Sequence, residues 1–379
     1  MINTLKRILT DKTFFITLIL SILSLCFGQV KSTDIDFKTI MSLSSLLIII
    51  AIYQDLGILK FIANYIVSKC HSTRLVFLVL LLCSFFGSMF FTNDVAILTL
   101  IPIFFNISKR IPFPKIFAIS LLTIYANLGS SFTPFGNPQN IYIVSFYKLS
   151  VIDFLGMSIP FGLISLITLL FSVLFIKNKQ IEKQSSNIIS INRTKTVWLL
   201  LASIVVLLGI LSVIPVIISL LISLLSGLTL SKKIFKRVDY AVILTFINFF
   251  IIVGAISRIN FVSGLITNHT NNALSTFISA IVTSQLISNV PAAVLLSKFT
   301  NHVYALFLGV SVGGLGTIIA SLANLLASRQ YAGYSQNRSN FQFFKTFTLL
   351  NMIFRERKIS CVNAQKISKL YRNRECLPL

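Results

Sequence analysis

The chain has 379 residues, of which 55% are hydrophobic and 11% charged, and its net charge is +23. Soluble domains carry about 25% charged residues, so a water-soluble globular domain is excluded. The apolar runs are continuous rather than alternating, which excludes a membrane β-barrel and leaves a helical polytopic membrane protein. The basic residues fall in short loops and in the tail. They read as topology determinants and contacts to anionic lipid, not as a nucleic-acid surface.

Lys6, Arg7 and Lys12 precede a first apolar run, about 13–30. It lacks a convincing small-residue cleavage site after a short core, so it reads as a retained helix and not a signal peptide. The loop 31–38 balances Lys31 and Lys38 against Asp34 and Asp36. A second helix covers about 39–59, and a shorter helix, about 59–68, lies along the interface and ends near Lys69 and Arg74. The positive-inside rule places the N-terminus and the 69–74 loop in the cytoplasm and 31–38 outside.

The stretch 75–105 is apolar nearly throughout, yet Thr92, Asn93 and Asp94 sit inside it. A carboxylate at the centre of a membrane helix costs about 2.5–3.5 kcal/mol even on lenient scales, so its burial points to function. The following loop carries Lys109, Arg110 and Lys115, and both ends of the stretch therefore lie on the cytoplasmic side. The simplest path is a re-entrant hairpin that turns at 92–94. Such non-helical backbone at membrane depth is tolerated only within protein or against a polar cavity.

The next crossing is broken by Asn127-Leu-Gly-Ser-Ser-Phe-Thr-Pro-Phe-Gly-Asn-Pro-Gln-Asn140, because two prolines and two glycines cannot sit in a regular helix. Its arms are expected at about 116–128 and 138–147. A helix at about 154–176 closes the first repeat, 1–176. The linker and connecting helix, 177–214, follow, with Lys177, Lys179, Lys183, Arg193 and Lys195. The second repeat, 215–354, has helices at about 215–230 and 240–257, then an external loop, 258–274. A second hairpin covers about 275–300 and holds Ser288 and Asn289. A second broken helix, about 303–327, breaks at Gly313-Gly-Leu-Gly-Thr317. The pattern is two helices, hairpin, broken helix, helix. It starts inside in one copy and outside in the other, which is an inverted repeat. The fold class expected is thus an all-α polytopic membrane protein of inverted structural repeats.

The last apolar segment, about 341–354, is short for a spanning helix, and the basic tail, 355–379, falls on the wrong side for the positive-inside rule. One expectation from this is that the coding sequence is altered here and the final helix is incomplete. The five cysteines form no C-x-x-C, and the three histidines stand apart, so neither a disulfide framework nor a metal site is indicated. No Ser/His/Asp arrangement or phosphate loop points to an enzyme.

Each tip precedes a new helical arm. Helix starts offer free N–H groups and a positive dipole end to anions, while unwound carbonyls with Thr, Asn and Asp oxygens suit a hard cation. The bland alternative is that these residues are helix caps and nothing more.

Thr92-Asn-Asp-Val-Ala, the Thr133–Asn140 break and Ser288-Asn-Val-Pro-Ala resemble the ion transporter superfamily over roughly 35–330. That superfamily includes arsenite permeases, citrate and dicarboxylate carriers and some Na⁺/H⁺ antiporters. The resemblance implicates Thr92, Asn93 and Asp94 at the first tip, and Ser288, Asn289 and Val290 at the second. Val290 stands where the dicarboxylate carriers have a hydroxyl, and the Asn-Asp pair of the first tip is closer to the arsenite-permease branch. The candidate substrate and ion site is Thr92, Asn93, Asp94, Thr133, Gly136, Asn137, Ser288, Asn289, Gly313, Gly314 and Thr317. A Na⁺ coupling ion would lie at Asn93, Asp94 and Thr133, and no other cofactor is expected. The expected activity is secondary transport of a small inorganic or organic anion across the cytoplasmic membrane, coupled to Na⁺ or H⁺. A Na⁺/H⁺ antiporter using Asp94 is the alternative. The expected partners are membrane lipid and, from the resemblance, a second copy of the chain.

Overall fold

The computed structural model describes residues 8–109, 111, 113–181, 192–230, 232–334 and 340–361. These residues form seventeen α-helices and two short 3₁₀ turns, with no β-strand among them beyond one isolated bridge, Ser72 to Gln180. Helices α1 (Lys12–Phe27), α2 (Phe37–Asp55) and α3 (Ile58–Ser68) lead into the first hairpin. Its arms are α4 (Thr73–Phe91) and α5 (Asn93–Ser108), joined by the single residue Thr92. The first broken helix is α6 (Lys115–Ser130) and α7 (Pro138–Phe146), and α8 (Val151–Val173) follows. After α9 (Arg193–Ile210) come α10 (Val216–Leu230), α11 (Tyr240–Ile256) and α12 (Asn260–Asn268). The second hairpin is α13 (Ala273–Ile287) and α14 (Asn289–Ser297), again joined by one residue, Ser288. The second broken helix is α15 (Val303–Gly313) and α16 (Leu322–Tyr334), before α17 (Asn340–Cys361).

Helices α2, α4, α8 and α9 are each long and apolar enough to cross a membrane, and α11 with α12 adds a span bent by 98°. The hairpin arms and broken halves are shorter. They satisfy their free ends against each other, as non-helical backbone at membrane depth requires.

Two expectations are corrected. The segment 258–274 is not a plain loop, because it holds α12. Ile266 on that helix is buried while Phe261 and Leu265 are exposed, so a two-sided pattern hid among the polar residues. The last helix is also longer than its apolar segment. It runs to Cys361, because Arg, Lys and Glu sustain a helix without raising hydropathy. Phe343 and Phe347 on it are fully packed into the core. The tail residues 362–379, the linker residues 182–191, Arg110 and the N-terminal Lys6 and Arg7 lie outside the described residues.

The two hairpin–break units are built alike. A Cβ on Gly129 would lie 2.1 Å from the Phe85 carbonyl and 2.6 Å from Ser88 Oγ. One on Gly313 would lie 2.6 Å from Ser284 Cβ and Oγ. Only glycine lets each broken helix press this closely on the first arm of its hairpin. The second arm of each hairpin instead packs on the other half. Gln330 Nε2 of α16 donates to the Ile97 carbonyl of α5 at 3.2 Å. The Tyr142 hydroxyl of α7 lies 3.0 Å from Ser297 Oγ of α14, and Tyr147 donates to the Ser297 carbonyl at 3.1 Å. Partners are thus exchanged between the halves, and the largest of three apolar clusters draws on both.

Candidate functional site

Thr92 and Ser288 have φ, ψ of 68°, 154° and 78°, 155°. This backbone region is nearly restricted to glycine, and holding another residue there costs about 1–3 kcal/mol. Two matching tips share the same unfavourable conformation, and its effect is to reverse the chain within one residue. Neither side chain caps the helix that follows, so the capping explanation fails for both hydroxyl residues. The helix starts are held by main-chain carbonyls: Ala96 N–H donates to Thr92 O, and Ala292 N–H to Ser288 O, each at 3.1 Å.

Asn93 uses its amide fully. Its Nδ2 donates to Asn127 Oδ1 at 2.8 Å and approaches Ser321 Oγ at 3.5 Å, and its Oδ1 accepts the Asp94 N–H at 3.0 Å. Asn127 Oδ1 also accepts from Ser321 Oγ at 2.9 Å, and Asn127 Nδ2 donates to Asn324 Oδ1 at 2.8 Å. Asn324 Nδ2 in turn donates to the Gly314 and Thr317 carbonyls at 3.0 and 2.9 Å. One buried amide network therefore joins the first tip, the first break and the second break.

The second tip is tied to its own break. Asn289 N–H donates to the Ala320 carbonyl at 3.0 Å, and Thr317 N–H to Gln285 Oε1 at 3.0 Å. Gln285 Nε2 donates to the Gly313 and Leu315 carbonyls. A Cβ on Gly314 would lie 2.8 Å from Asn289 Nδ2. In the first break, Thr133 Oγ1 donates to the Met89 carbonyl at 2.6 Å, which leaves its lone pairs free to accept. Gly136 lies against Ser130 and Thr133. Asn137 is the N-cap of α7: its Oδ1 accepts the Asn140 N–H at 2.9 Å and its Nδ2 donates to Ser130 Oγ at 3.2 Å. For Asn137 the capping explanation therefore holds.

Asp94 enters no ion pair among the described residues; the pairs are Arg237–Asp55, Arg258–Asp34 and Lys298–Asp34. Its Oδ1 is buried with no hydrogen-bond partner, as are both amide atoms of Gln139, Asn140 Oδ1, Ser311 Oγ and Thr317 Oγ1. Unpaired buried polar atoms are rare and costly; these six lie on the tips, the breaks and the helices beside them, and three more, Thr348 Oγ1, Asn351 Oδ1 and Arg355 Nε, lie on α17. No direct bond links the Asp94 carboxylate to Thr133, so the two stand near one tip without touching.

Sequence reasoning missed Asn127, Gln139, Asn140, Gln285, Ser321 and Asn324. A signal was present: each is a carboxamide or hydroxyl residue in or within a dozen residues of a glycine-rich break, except Gln285, which lies three residues before the second tip. In sequence such residues are indistinguishable from ordinary helix caps.

A profile of the citrate transporter family matches residues 4–305, most of the chain. The chain belongs to the citrate transporter family. A transporter of Methanocaldococcus jannaschii is 32% identical over 298 residues, covering 78% of this chain and 81% of that protein. The Escherichia coli inner membrane protein YbiR is 28% identical over 297 residues, covering 78% and 80%. The transporter arsB of Dictyostelium discoideum is 28% identical over 168 residues, 42% of this chain and 29% of that one. The resemblance to the ion transporter superfamily is borne out. This member of the citrate transporter family is a multi-pass integral membrane transporter, not an enzyme.

Proposed function

We propose that this protein is a secondary active transporter of an oxyanion or carboxylate, driven by a Na⁺ or proton gradient, with its two halves oppositely oriented in the membrane. The observation that carries the reading is the pair of strained tips at Thr92 and Ser288, set beside two helix breaks and coupled through Asn93, Asn127 and Asn324. The starts of α5, α14 and α16 come together there, through Asn93 to Ser321 and Asn289 to Ala320. Their positive ends favour an anion.

Charge divides the labour between the tips. Asp94 occupies the positive end of α5 with its own carboxylate, and so favours a cation at the first tip together with Asn93 and Thr133. The second tip has Val290 at the corresponding place and carries no acid, which favours the anion at Ser288 and Asn289. The halves would rock about this shared site to alternate access.

The test is flux into proteoliposomes. Radiolabelled citrate and arsenite are offered under an imposed Na⁺ or pH gradient, with valinomycin clamping the potential. Gradient-driven accumulation of either anion supports the reading. The second reading, a Na⁺/H⁺ antiporter, rests on the unpaired buried Oδ1 of Asp94. Na⁺-driven proton movement with no anion requirement would establish it and displace the first.

A further inference from the structure

Asn140 and Asn324 hold equivalent places. Asn140 Nδ2 donates to carbonyls ten and seven residues earlier, those of Ser130 at 3.2 Å and Thr133 at 2.8 Å. Asn324 Nδ2 donates to carbonyls ten and seven residues earlier, those of Gly314 at 3.0 Å and Thr317 at 2.9 Å. The two breaks therefore share this asparagine–carbonyl pattern, although Thr133 Oγ1 donates to the Met89 carbonyl while Thr317 Oγ1 has no partner. The second arm of each hairpin also meets the opposite half, through Ile97 to Gln330 and Ser297 to Tyr142. The match of Asn140 with Asn324 sets an offset of 184 residues between the breaks, and the cross-half bond of Asn324 can be followed through it.

One counterpart is missing. Asn324 Oδ1 accepts from Asn127 Nδ2 at 2.8 Å. Exchange of the halves carries that bond onto Asn140 and residue 311, which is a serine. Asn140 Oδ1 and Ser311 Oγ are both unpaired, in residues 0% and 2% exposed. A serine oxygen stops one bond short of an asparagine amide nitrogen, about 1.4 Å. The expected separation of the two oxygens is then about 4–5 Å, close to twice the ~2.4 Å of a hard cation–oxygen bond. The neighbouring carboxamide of Gln139, buried with both atoms unpaired, offers another oxygen.

We propose that Ser311 Oγ and Asn140 Oδ1, with Gln139 beside them, form a second monovalent-cation site, between α15 of one half and α7 of the other. The donors are neutral oxygens, which suit a hard ion, and no carboxylate is present to hold a divalent one. Asn127 fills the equivalent volume in the other half, so the site is single. A cation there would offset the charge of a bound anion in low-dielectric surroundings. The inference rests on the cation-coupled reading above and extends it from one cation to two.

The full chain, purified in detergent, is melted against increasing NaCl, with choline chloride holding ionic strength constant. The wild type should show Na⁺-dependent stabilisation with a Hill coefficient between about 1 and 2. Ser311→Asn restores the missing amide donor. It should melt higher than wild type in choline chloride, titrate with a Hill coefficient of about 1, and lose part of the Na⁺-dependent rise. Ser311→Ala, which adds no bulk, should raise the half-saturating Na⁺ about tenfold, a typical cost of one lost ion-supporting group. Ser311→Asn and Ser311→Ala titrating as wild type would overturn the proposal and leave a water-filled gap. A wild type insensitive to Na⁺ would overturn it as well. Proton-driven anion flux in that same protein would show the transport reading intact, so the two failures are distinguishable.

Discussion

Replacing Asn127 by alanine tests whether one buried amide holds the two breaks together. Its Oδ1 accepts from Asn93 and Ser321, and its Nδ2 donates to Asn324, at 2.8–2.9 Å. Asn93, Asn127, Ser321 and Asn324 are all buried. Asn324 cannot compensate by turning over its amide, because its Nδ2 already serves Gly314 and Thr317. Alanine would leave Asn324 Oδ1 buried without a partner, and Asn93 Nδ2 and Ser321 Oγ with only the 3.5 Å contact between them. The expected loss is about 2–3 kcal/mol before any cavity term. The assay is equilibrium denaturation in mixed micelles, followed by the fluorescence of Trp198 and the tyrosines. Because Asn93 and Asn127 share a bond, the double variant should be less destabilised than the sum of the singles, by about 1 kcal/mol. A single-variant loss below ~1 kcal/mol, or additive behaviour in that cycle, would refute the assignment of Asn127 as the common partner.

Ser288→Gly should relieve the strained φ of 78° and stabilise the chain by about 1 kcal/mol, while slowing anion flux because a site hydroxyl is lost. Reduced stability would show that the conformation is not costly. Asp94→Asn should remove the dependence of flux on a cation gradient, and full coupling in that variant would eliminate the carboxylate from the mechanism. Asp34 supplies a pH test outside the membrane. Burial pushes its carboxyl up, but hydrogen bonds from Arg258 and the Lys31 N–H, and the charge of Lys298, more than offset this and bring it to about 2 from 3.8. A depressed carboxyl stabilises fully above its unfolded value and loses that contribution as pH falls through the folded one. Between about pH 4 and 2, stability should drop by about 2 kcal/mol more in wild type than in Asp34→Asn. Parallel acid profiles for the two proteins would remove the Asp34–Arg258–Lys298 cluster as a stabilising element.

The sequence by itself determined that the chain lives in a membrane, that two apolar hairpins with polar tips each precede a glycine-rich break, and where the helices must stop. Those features follow from apolar run length, from the cost of Asp94 within such a run, and from Pro134, Gly136, Gly314 and Gly316 in the non-helical breaks. The hairpin turns were legible to within a residue for the same reason. Tertiary structure alone decided which carboxamide meets which. Asn127 and Asn137 are alike in sequence, yet one bridges the halves and the other caps α7, because only packing fixes the direction of each side chain. The amphipathic α12 and the charged end of α17 were hidden because hydropathy measures transfer to lipid, whereas α12 buries Ile266 on one side only and the charged residues sustain a helix without raising hydropathy.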